Sequence, residues 1–407
     1  MDLGLSEKAK PLRDEVRRFI RDEVMPLEEE FYGELATATD RWTLTPRMTE
    51  IIEGLKSKAR GKGLWNFFLT GSEHNHGLNT IDYAYLAEEM GWSPLAAECF
   101  NCNAPDTGNM EVLERYGSEA QKEKWLVPLL DGKIRSAFVM TEPDVASSDA
   151  TNIQMEAKLD GEEWVMSGEK YFASGAGDSR CKIMIVMVKT NPDAERHVQQ
   201  SQILVPMDTK GVEIIRPMHV FGHDDAPHGH MHIKFTNVRV PKDNIIGGAG
   251  RGFEISQGRL GPGRIHHCMR AIGQAERALE FLCKRAVSRT AFGKPLAKLG
   301  ANYDIIANCR AEIEQARLLT LKTAHMMDLH GAQGAQTWIS MIKFVAPIMA
   351  LKVIDESIQM HGGQGLSQDV PLTGMYAGVR TLRLADGPDA VHRMQVARAE
   401  LKRYWNR

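Results

Sequence analysis

Apolar residues recur at helix spacing through the first third of the chain. Leu12, Val16, Phe19, Ile20 and Val24 fall three or four apart, which lines them on one helix face. Ser6 is placed to cap this helix, and Pro26 ends the run. Thr45-Pro46 predicts a second helix, with a capping hydroxyl followed by proline at the first position. It carries Met48, Ile51, Ile52 and Leu55 and stops near Gly61-Lys62-Gly63. A third helix is expected from about Thr80 to Met90 with Gly91 as its C-cap, and apolar helical segments continue to about Leu130.

The pattern changes near Ser136. From there to about Ile246 the segments SAFVM, NIQMEAKL, EWVMSGE, KIMIVMVK, SQILVPM, GVEIIR, HMHIKF and VRVP are short, rich in Val, Ile and Met, and often alternating, as strands are. Asp160-Gly161 between two of them is a hairpin signal. From about Gly250 the pattern is helical again, over Ala271 to Ala286, Asp304 to His330 and Thr337 to Gln359. His361-Gly362-Gly363-Gln364-Gly365 breaks the last of these, and a final helix is expected over Asp389 to Tyr404 with Asp389 as its cap. The predicted organisation is an N-terminal α-helical domain (1–135), a middle β domain (136–248) and a C-terminal α-helical domain (249–407), with no internal repeat.

Composition narrows the function classes. The 407 residues carry 50 basic and 53 acidic side chains, a net charge of −3, which gives no bulk electrostatic case for nucleic acid. Mean hydropathy is −0.32, and no uninterrupted apolar run approaches the ~18 residues of a span, so no membrane segment is expected. Neither the opening MDLGLSEKAKPLRDEV nor the closing RYWNR reads as an address, and a cytoplasmic protein is expected. Cys99 and Cys102 form a lone CxxC without a second pair at zinc spacing; reduced, inert thiols are the expectation. No GxGxxG, Walker A loop, HExxH or GxSxG elbow occurs, which removes the usual support for nicotinamide, nucleotide, zinc-protease and esterase chemistry.

Four segments remain. Phe138-Val139-Met140-Thr141-Glu142-Pro143-Asp144-Val145-Ala146-Ser147-Ser148-Asp149 runs a strand into a loop of small and hydroxyl residues, able to offer N–H groups and hydroxyls to a heterocycle edge or a phosphate. Lys170-Tyr171-Phe172-Ala173-Ser174-Gly175 closes a strand with an aromatic that could cover a flat ring. Ser288-Arg289-Thr290-Ala291-Phe292-Gly293-Lys294-Pro295 holds Arg289, whose fork suits a diphosphate. Gln359-Met360-His361-Gly362-Gly363 permits close backbone approach to a ligand, and Ala385-Asp386-Gly387-Pro388 follows some 20 residues on.

In this order, within an α–β–α chain, MTEPDVASSD, SRTAFGKP and QMHGGQG resemble the acyl-CoA dehydrogenase family over essentially the whole chain. Asn103 to Gly117 and the later ADGPD resemble the branch whose larger members carry a fused phosphotransferase-like domain. The resemblance implies an α+β fold with an N-terminal helical domain, a β-barrel-like middle domain and a C-terminal four-helix bundle. It implies FAD, bound in that family between the β domain and the C-terminal helices, an acyl-CoA substrate in fatty acid metabolism, and an electron-transfer flavoprotein as electron acceptor.

By resemblance, Met140 and Thr141 meet the flavin pyrimidine edge, Phe172 takes the family's usual tryptophan position on the flavin face, and Ser174 the usual threonine position near N5. The loop is one residue longer than TEPGAGSD, so either Ser147 or Ser148 takes the serine position, with Ser147 assigned to the cofactor and Ser148 to the substrate. Arg289, Phe292, Gln359, Gly362 and Gly363 match positions that complete the FAD site of a neighbouring subunit, implying a dimer or dimer of dimers. A family glutamine after FGKP is replaced at about Gly300. Gly261, Arg264 and Gly387 border the substrate.

The α proton of a thioester is weakly acidic, so the base must be a carboxylate held against it. The family's YEGT-like turn reads Ala385-Asp386-Gly387-Pro388 here, which makes Asp386 the candidate base. The alternative helix position near Arg264 reads Arg259-Leu260-Gly261-Pro262-Gly263-Arg264 and holds no carboxylate. An aspartate base also fits a flavin oxidase of the acyl-CoA or nitroalkane type, and a non-catalytic flavin-bearing binding protein is the third reading. His219, His223, His228, His230 and His232 cluster; a solvated hairpin, a flavin- or substrate-proximal His228 or His230, and a metal set are the alternatives, with no catalytic metal expected.

Overall fold

The computed structural model describes residues 2–72, 74 and 76–405; the terminal Asn406-Arg407 of the closing segment lies outside the described residues. The chain divides into two compact units. The first comprises 1–26, 70–97 and 261–407, and the second comprises 27–69 and 98–260.

The second unit is built on two sheets. Strands β1 (Arg135–Val139), β4 (Cys181–Lys189) and β5 (Gln200–Pro206) form one, in the order β1-β4-β5. Strands β2 (Ala157–Asp160), β3 (Glu163–Ser174), β7 (His230–Pro241) and β6 (Val212–Pro217) form the other, in the order β2-β3-β7-β6. Inward residues of both sheets, among them Val139, Met166, Met184, Val186, Ile203, Ile233, Phe235 and Val238, share one core, as the period-two alternation requires. The β2–β3 hairpin turns at Gly161 with φ 63°, where glycine meets no steric cost.

Two strand expectations change. HMHIKF and VRVP are a single strand, β7, because Asn237 adopts φ 48° and its N–H donates to Ser167 Oγ (2.8 Å) across a register shift opposite Met166 and Gly168. The discontinuity is a bulge within one strand. NIQMEAKL contributes only Ala157, Lys158 and Leu159 to strand β2.

β1 is anchored at its start by buried charge. Arg135 donates to Asp106 and Glu98 (2.5 Å each), while Asp106 accepts from the Ser136 N–H (2.7 Å) and hydroxyl (2.6 Å). The helix Pro46–Gly61 begins as expected, with the Thr45 hydroxyl accepting from Met48 N–H (3.1 Å) and Pro46 at its first position.

The first unit is helical: Ala9–Phe19, Thr80–Met90, the greater part of Gly252–Ser288, Asn302–Gly334, Gln336–His361, Leu372–Thr381 and Asp389–Trp405. Ser6 is not a side-chain cap. The first helix begins at Ala9, and the Ser6 N–H and hydroxyl both bind Asp82 (2.9 and 2.8 Å). Gly91 follows the Thr80–Met90 helix but has an ordinary helical φ of −67°. Its reason is steric: an added Cβ would stand 2.2 Å from the Arg270 carbonyl oxygen, and one at Gly273 would stand 2.0 Å from that of Glu88. The two helices touch backbone to backbone. Asp389 does not cap the final helix; its carboxylate pairs with Arg383 (2.7 Å).

Pro262 lies inside the Gly252–Ser288 helix. Proline disfavours a helical residue before it through a clash with Cβ, and Gly261 has none; an added Cβ there would meet Ala332 at 3.0 Å. Among the described residues one stretch, Gln336–Leu366, is long and apolar enough to cross a membrane by composition, with mean hydropathy 1.6. That differs from the expectation drawn from uninterrupted runs, since scattered polar residues lower the run length and not the average. Of that window, 61% is buried inside the protein, the pattern of a core helix.

Candidate functional site

In the second unit, β1 leads into the loop that carries Met140, Thr141, Ser147 and Ser148. A buried ion pair sets that loop. Lys170 sits at an inward position of β3, and its Nζ lies 2.8 Å from Glu142 Oε1. It also donates to the carbonyls of Met140 (2.9 Å) and Met187 (2.6 Å). All three ammonium donors are thereby used. Glu142 accepts from the N–H groups of Gln154 (2.7 Å) and Met155 (3.0 Å). Burial pushes Lys170 down to about 8, with the Glu142 charge opposing the shift. The Ser147 hydroxyl accepts from Glu142 N–H (2.9 Å), so it braces its own loop, whereas Ser148 is exposed.

Thr141 and Tyr171 tie this loop to β3. Tyr171 N–H donates to the Thr141 carbonyl (3.0 Å), and the Thr141 hydroxyl donates to the Tyr171 carbonyl. Immediately afterwards the register of β3 against β7 slips between Lys170 and Ala173. Phe172 takes φ 53° there and is 43% exposed. A bulge re-aims a side chain, and left-handed backbone at phenylalanine is strained by about 1–3 kcal/mol. The result is an aromatic face presented outward beside Ser174, whose hydroxyl meets His230 Nδ1 at 2.8 Å. Of the histidine cluster, His232 pairs with Glu169 (2.9 Å).

In the first unit, Asp386 occupies a turn with two left-handed residues, Asp386 at φ 56° and Gly387 at φ 100°. Donors from three helices hold it. Lys343 Nζ donates to the carbonyls of Leu382 (2.6 Å) and Ala385 (2.8 Å). Arg264 Nε donates to the Asp386 carbonyl (3.0 Å), and His392 Nε2 lies 3.1 Å from the same oxygen. A carbonyl only accepts, so His392 carries its proton on Nε2. Burial, with the charges of Arg264 and Lys343, pushes His392 down to about 4. An added Cβ at Gly387 would sit 2.9 Å from His392 Nε2, which explains the glycine. The Asp386 side chain is 20% exposed, with Oδ2 3.6 Å from His267 Nε2.

The same unit exposes Arg289, Phe292, Gln359, Gly362 and Gly363. Phe292 is 96% exposed at the tip of a two-stranded hairpin, Thr290–Ala291 with Lys294–Pro295. Gly362 has φ 63°, and neither it nor Gly363 would place a Cβ within 4 Å of another group. Arg285 reaches the His361 carbonyl (3.4 Å), tying the preceding helix to this glycine turn.

Lys343 and His392 do not stand out in the sequence, and Lys170 and Glu142 stand inside two of the four segments without an assigned role. Two signals were present. Lys343 is the one charged residue from Gln336 to Leu351, and Lys170 shares the inward parity of Trp164 and Met166. Cys99 and Cys102 are free and buried, and burial pushes the Cys99 thiol up, which makes it unreactive.

The order of helices, two sheets and helices is that of the acyl-CoA dehydrogenase fold. The chain belongs to the acyl-CoA dehydrogenase family. Its N-terminal, middle and C-terminal domain models match residues 6–133, 137–238 and 250–401. It is 54% identical over 404 residues to acyl-CoA dehydrogenase family member 10 of Mus musculus, covering 98% of this chain and 37% of that protein. It is 52% identical to the probable acyl-CoA dehydrogenase FadE2 of Mycobacterium tuberculosis, covering 99% and 98%. A solved structure of a "putative acyl-CoA dehydrogenase" from Mycobacterium abscessus superposes with TM-score 0.95 at 51% identity, covering 98% of this chain and all of that one. The chain spans about half the length or less of the animal relatives it matches.

Proposed function

We propose that the chain is an FAD-dependent acyl-CoA dehydrogenase. Asp386 is the base that removes the α proton of a thioester, and the isoalloxazine, when bound, is the acceptor of the β hydride. The observation that carries this is the Asp386 turn: a mostly buried carboxylate on left-handed backbone, held by Lys343, Arg264 and His392. Such fixed positioning is what a base for a weak carbon acid needs.

The residues present fit a flavin. Phe172 offers a strained, outward aromatic face, Met140 and Thr141 a braced strand end, and Ser174 a hydroxyl beside them. Ser147 acts from within the loop, and Ser148, Gly261, Arg264 and Gly387 border the acyl-CoA. Arg289, Phe292, Gln359, Gly362 and Gly363 lie exposed on a single chain, which suits the completion of a second copy's FAD diphosphate and adenosine. The active species is then at least a dimer. Electrons pass on to an electron-transfer flavoprotein.

Anaerobic titration of the yellow protein with a panel of acyl-CoAs, hydroxylated chains included, tests this reading. Flavin bleaching is expected. Asp386→Asn keeps its FAD and loses bleaching by on the order of 10²–10⁴-fold; reduction at the parent rate overturns the assignment. Oxygen consumption during turnover would favour the oxidase reading, which an aspartate base also serves.

A further inference from the structure

Ser174 and His230 face each other directly across the β3–β7 ladder. On the far side of the imidazole, His230 Nε2 lies 3.6 Å from Asp225 Oδ2. Hydroxyl, ring and carboxylate therefore form a string beside the Phe172 face, whose ring centroid is 6.0 Å from that of His230. The His230 side chain is 15% exposed and that of Asp225 59% exposed, so the string runs from the platform to solvent. The His228 ring also faces His230, at 6.2 Å.

Burial pushes His230 below its ordinary value, so near neutrality it holds one ring proton, on Nδ1 or on Nε2. The choice decides what Ser174 can offer. With the proton on Nδ1, the ring donates to Ser174 Oγ and the hydroxyl proton points elsewhere. With the proton on Nε2, the hydroxyl donates to Nδ1 and Ser174 turns lone pairs outward. The Asp225 carboxylate is too far for a direct hydrogen bond, but its negative charge favours a proton on the nitrogen that faces it.

We propose that His230, set by Asp225 in its Nε2–H tautomer, is a positioning residue that makes Ser174 an acceptor and thereby favours the reduced flavin. This rests on the reading that Ser174 meets the flavin near N5. An oxidised isoalloxazine N5 accepts a hydrogen bond, whereas the reduced form presents N5–H, which an accepting hydroxyl matches. A net hydrogen bond to one redox state and not the other is worth about 1–1.5 kcal/mol, about tenfold in relative affinity, or ~30 mV for a two-electron couple.

The test measures the midpoint potential of bound FAD and the ¹⁵N shifts of the His230 ring in the whole protein. His230→Phe is expected to lower the potential by the amount tenfold implies, and Asp225→Asn to lower it by less. Ser174→Ala is expected to remove the effect of His230→Phe. The ¹⁵N spectrum is expected to show Nε2–H at His230. A yellow His230→Phe protein with unchanged or raised potential overturns the inference, and so does an Nδ1–H spectrum. A chain that binds no FAD overturns the functional reading and this inference together.

Discussion

Lys343 Nζ donates to the carbonyl oxygen of Ala385 at 2.8 Å, one residue before the candidate base. The lysine is 1% exposed on a helix otherwise apolar at that level. Burial pushes its ammonium below the usual lysine value, and the Asp386 charge opposes that shift. A buried cation is costly unless its donors are used. Here they satisfy carbonyls that the left-handed turn directs at the helix, so the lysine and the unusual backbone require each other.

Lys343→Met is therefore expected to harm both stability and chemistry. The carbonyls of Leu382 and Ala385 both lose their donor, and each buried acceptor left without one costs about 1–3 kcal/mol, so unfolding in urea should show a loss of about 2–6 kcal/mol. A turn that relaxes by ~1 Å can slow reaction by on the order of 10²-fold. Stopped-flow flavin reduction should fall accordingly with FAD content unchanged. A folded Lys343→Met protein that reduces its flavin at the parent rate would show that the turn holds itself.

Acid should destabilise the protein through His392. Its folded value, about 4, lies below the ordinary imidazole value of 6.5, so the unfolded chain binds the extra proton first as pH falls. Stability is lost between about 6.5 and about 4, and the loss is constant below that. The full difference is on the order of 3 kcal/mol. His392→Gln, which keeps a donor for the Asp386 carbonyl without the titration, should flatten the pH dependence of the unfolding free energy in this window. An equally steep profile in the variant would place the acid sensitivity elsewhere.

The Lys170–Glu142 pair should couple strongly. Removing one partner of a buried pair typically costs 3–5 kcal/mol because the other charge is stranded. Lys170→Met is expected to show a loss of that order, together with weaker FAD retention as the Met140–Ser148 loop loosens. In the Lys170→Met/Glu142→Gln protein part of the stability should return, since the stranded carboxylate becomes a neutral amide. A double-mutant cycle on unfolding free energies reads the coupling, and additive losses would argue that each side chain acts alone.

Arg289→Ala separates flavin retention from folding. The guanidinium is exposed on the single chain, so the unfolding free energy of flavin-free protein should stay within about 0.5 kcal/mol of the parent. A charge-assisted hydrogen bond to phosphate is worth about 1.5–3 kcal/mol, so FAD should bind roughly tenfold or more weakly. Flavin content after dialysis against a range of FAD concentrations measures it. Equal retention would remove Arg289 from the diphosphate site.

The candidate site was only partly legible along the chain. Asp386, Phe172, Ser174 and Arg289 lie in short runs of glycine, hydroxyl and aromatic residues, whose patterns survive when read one segment at a time. Gly91 was legible as a helix end but misread in cause, because its close approach to Arg270 involves a segment some 180 residues away. Ser6 was misread for the same reason: its partner is Asp82.

The order of helices and strands, the inward faces and the segments bearing chemistry follow from local periodicity, because one residue's place on a helix or strand face depends on its near neighbours. Which polar groups those segments meet does not. Lys343 under Ala385, Lys170 under Glu142 and His230 against Ser174 exist because buried donors and acceptors must be matched wherever the chain brings them together, and that matching is made only when distant segments pack.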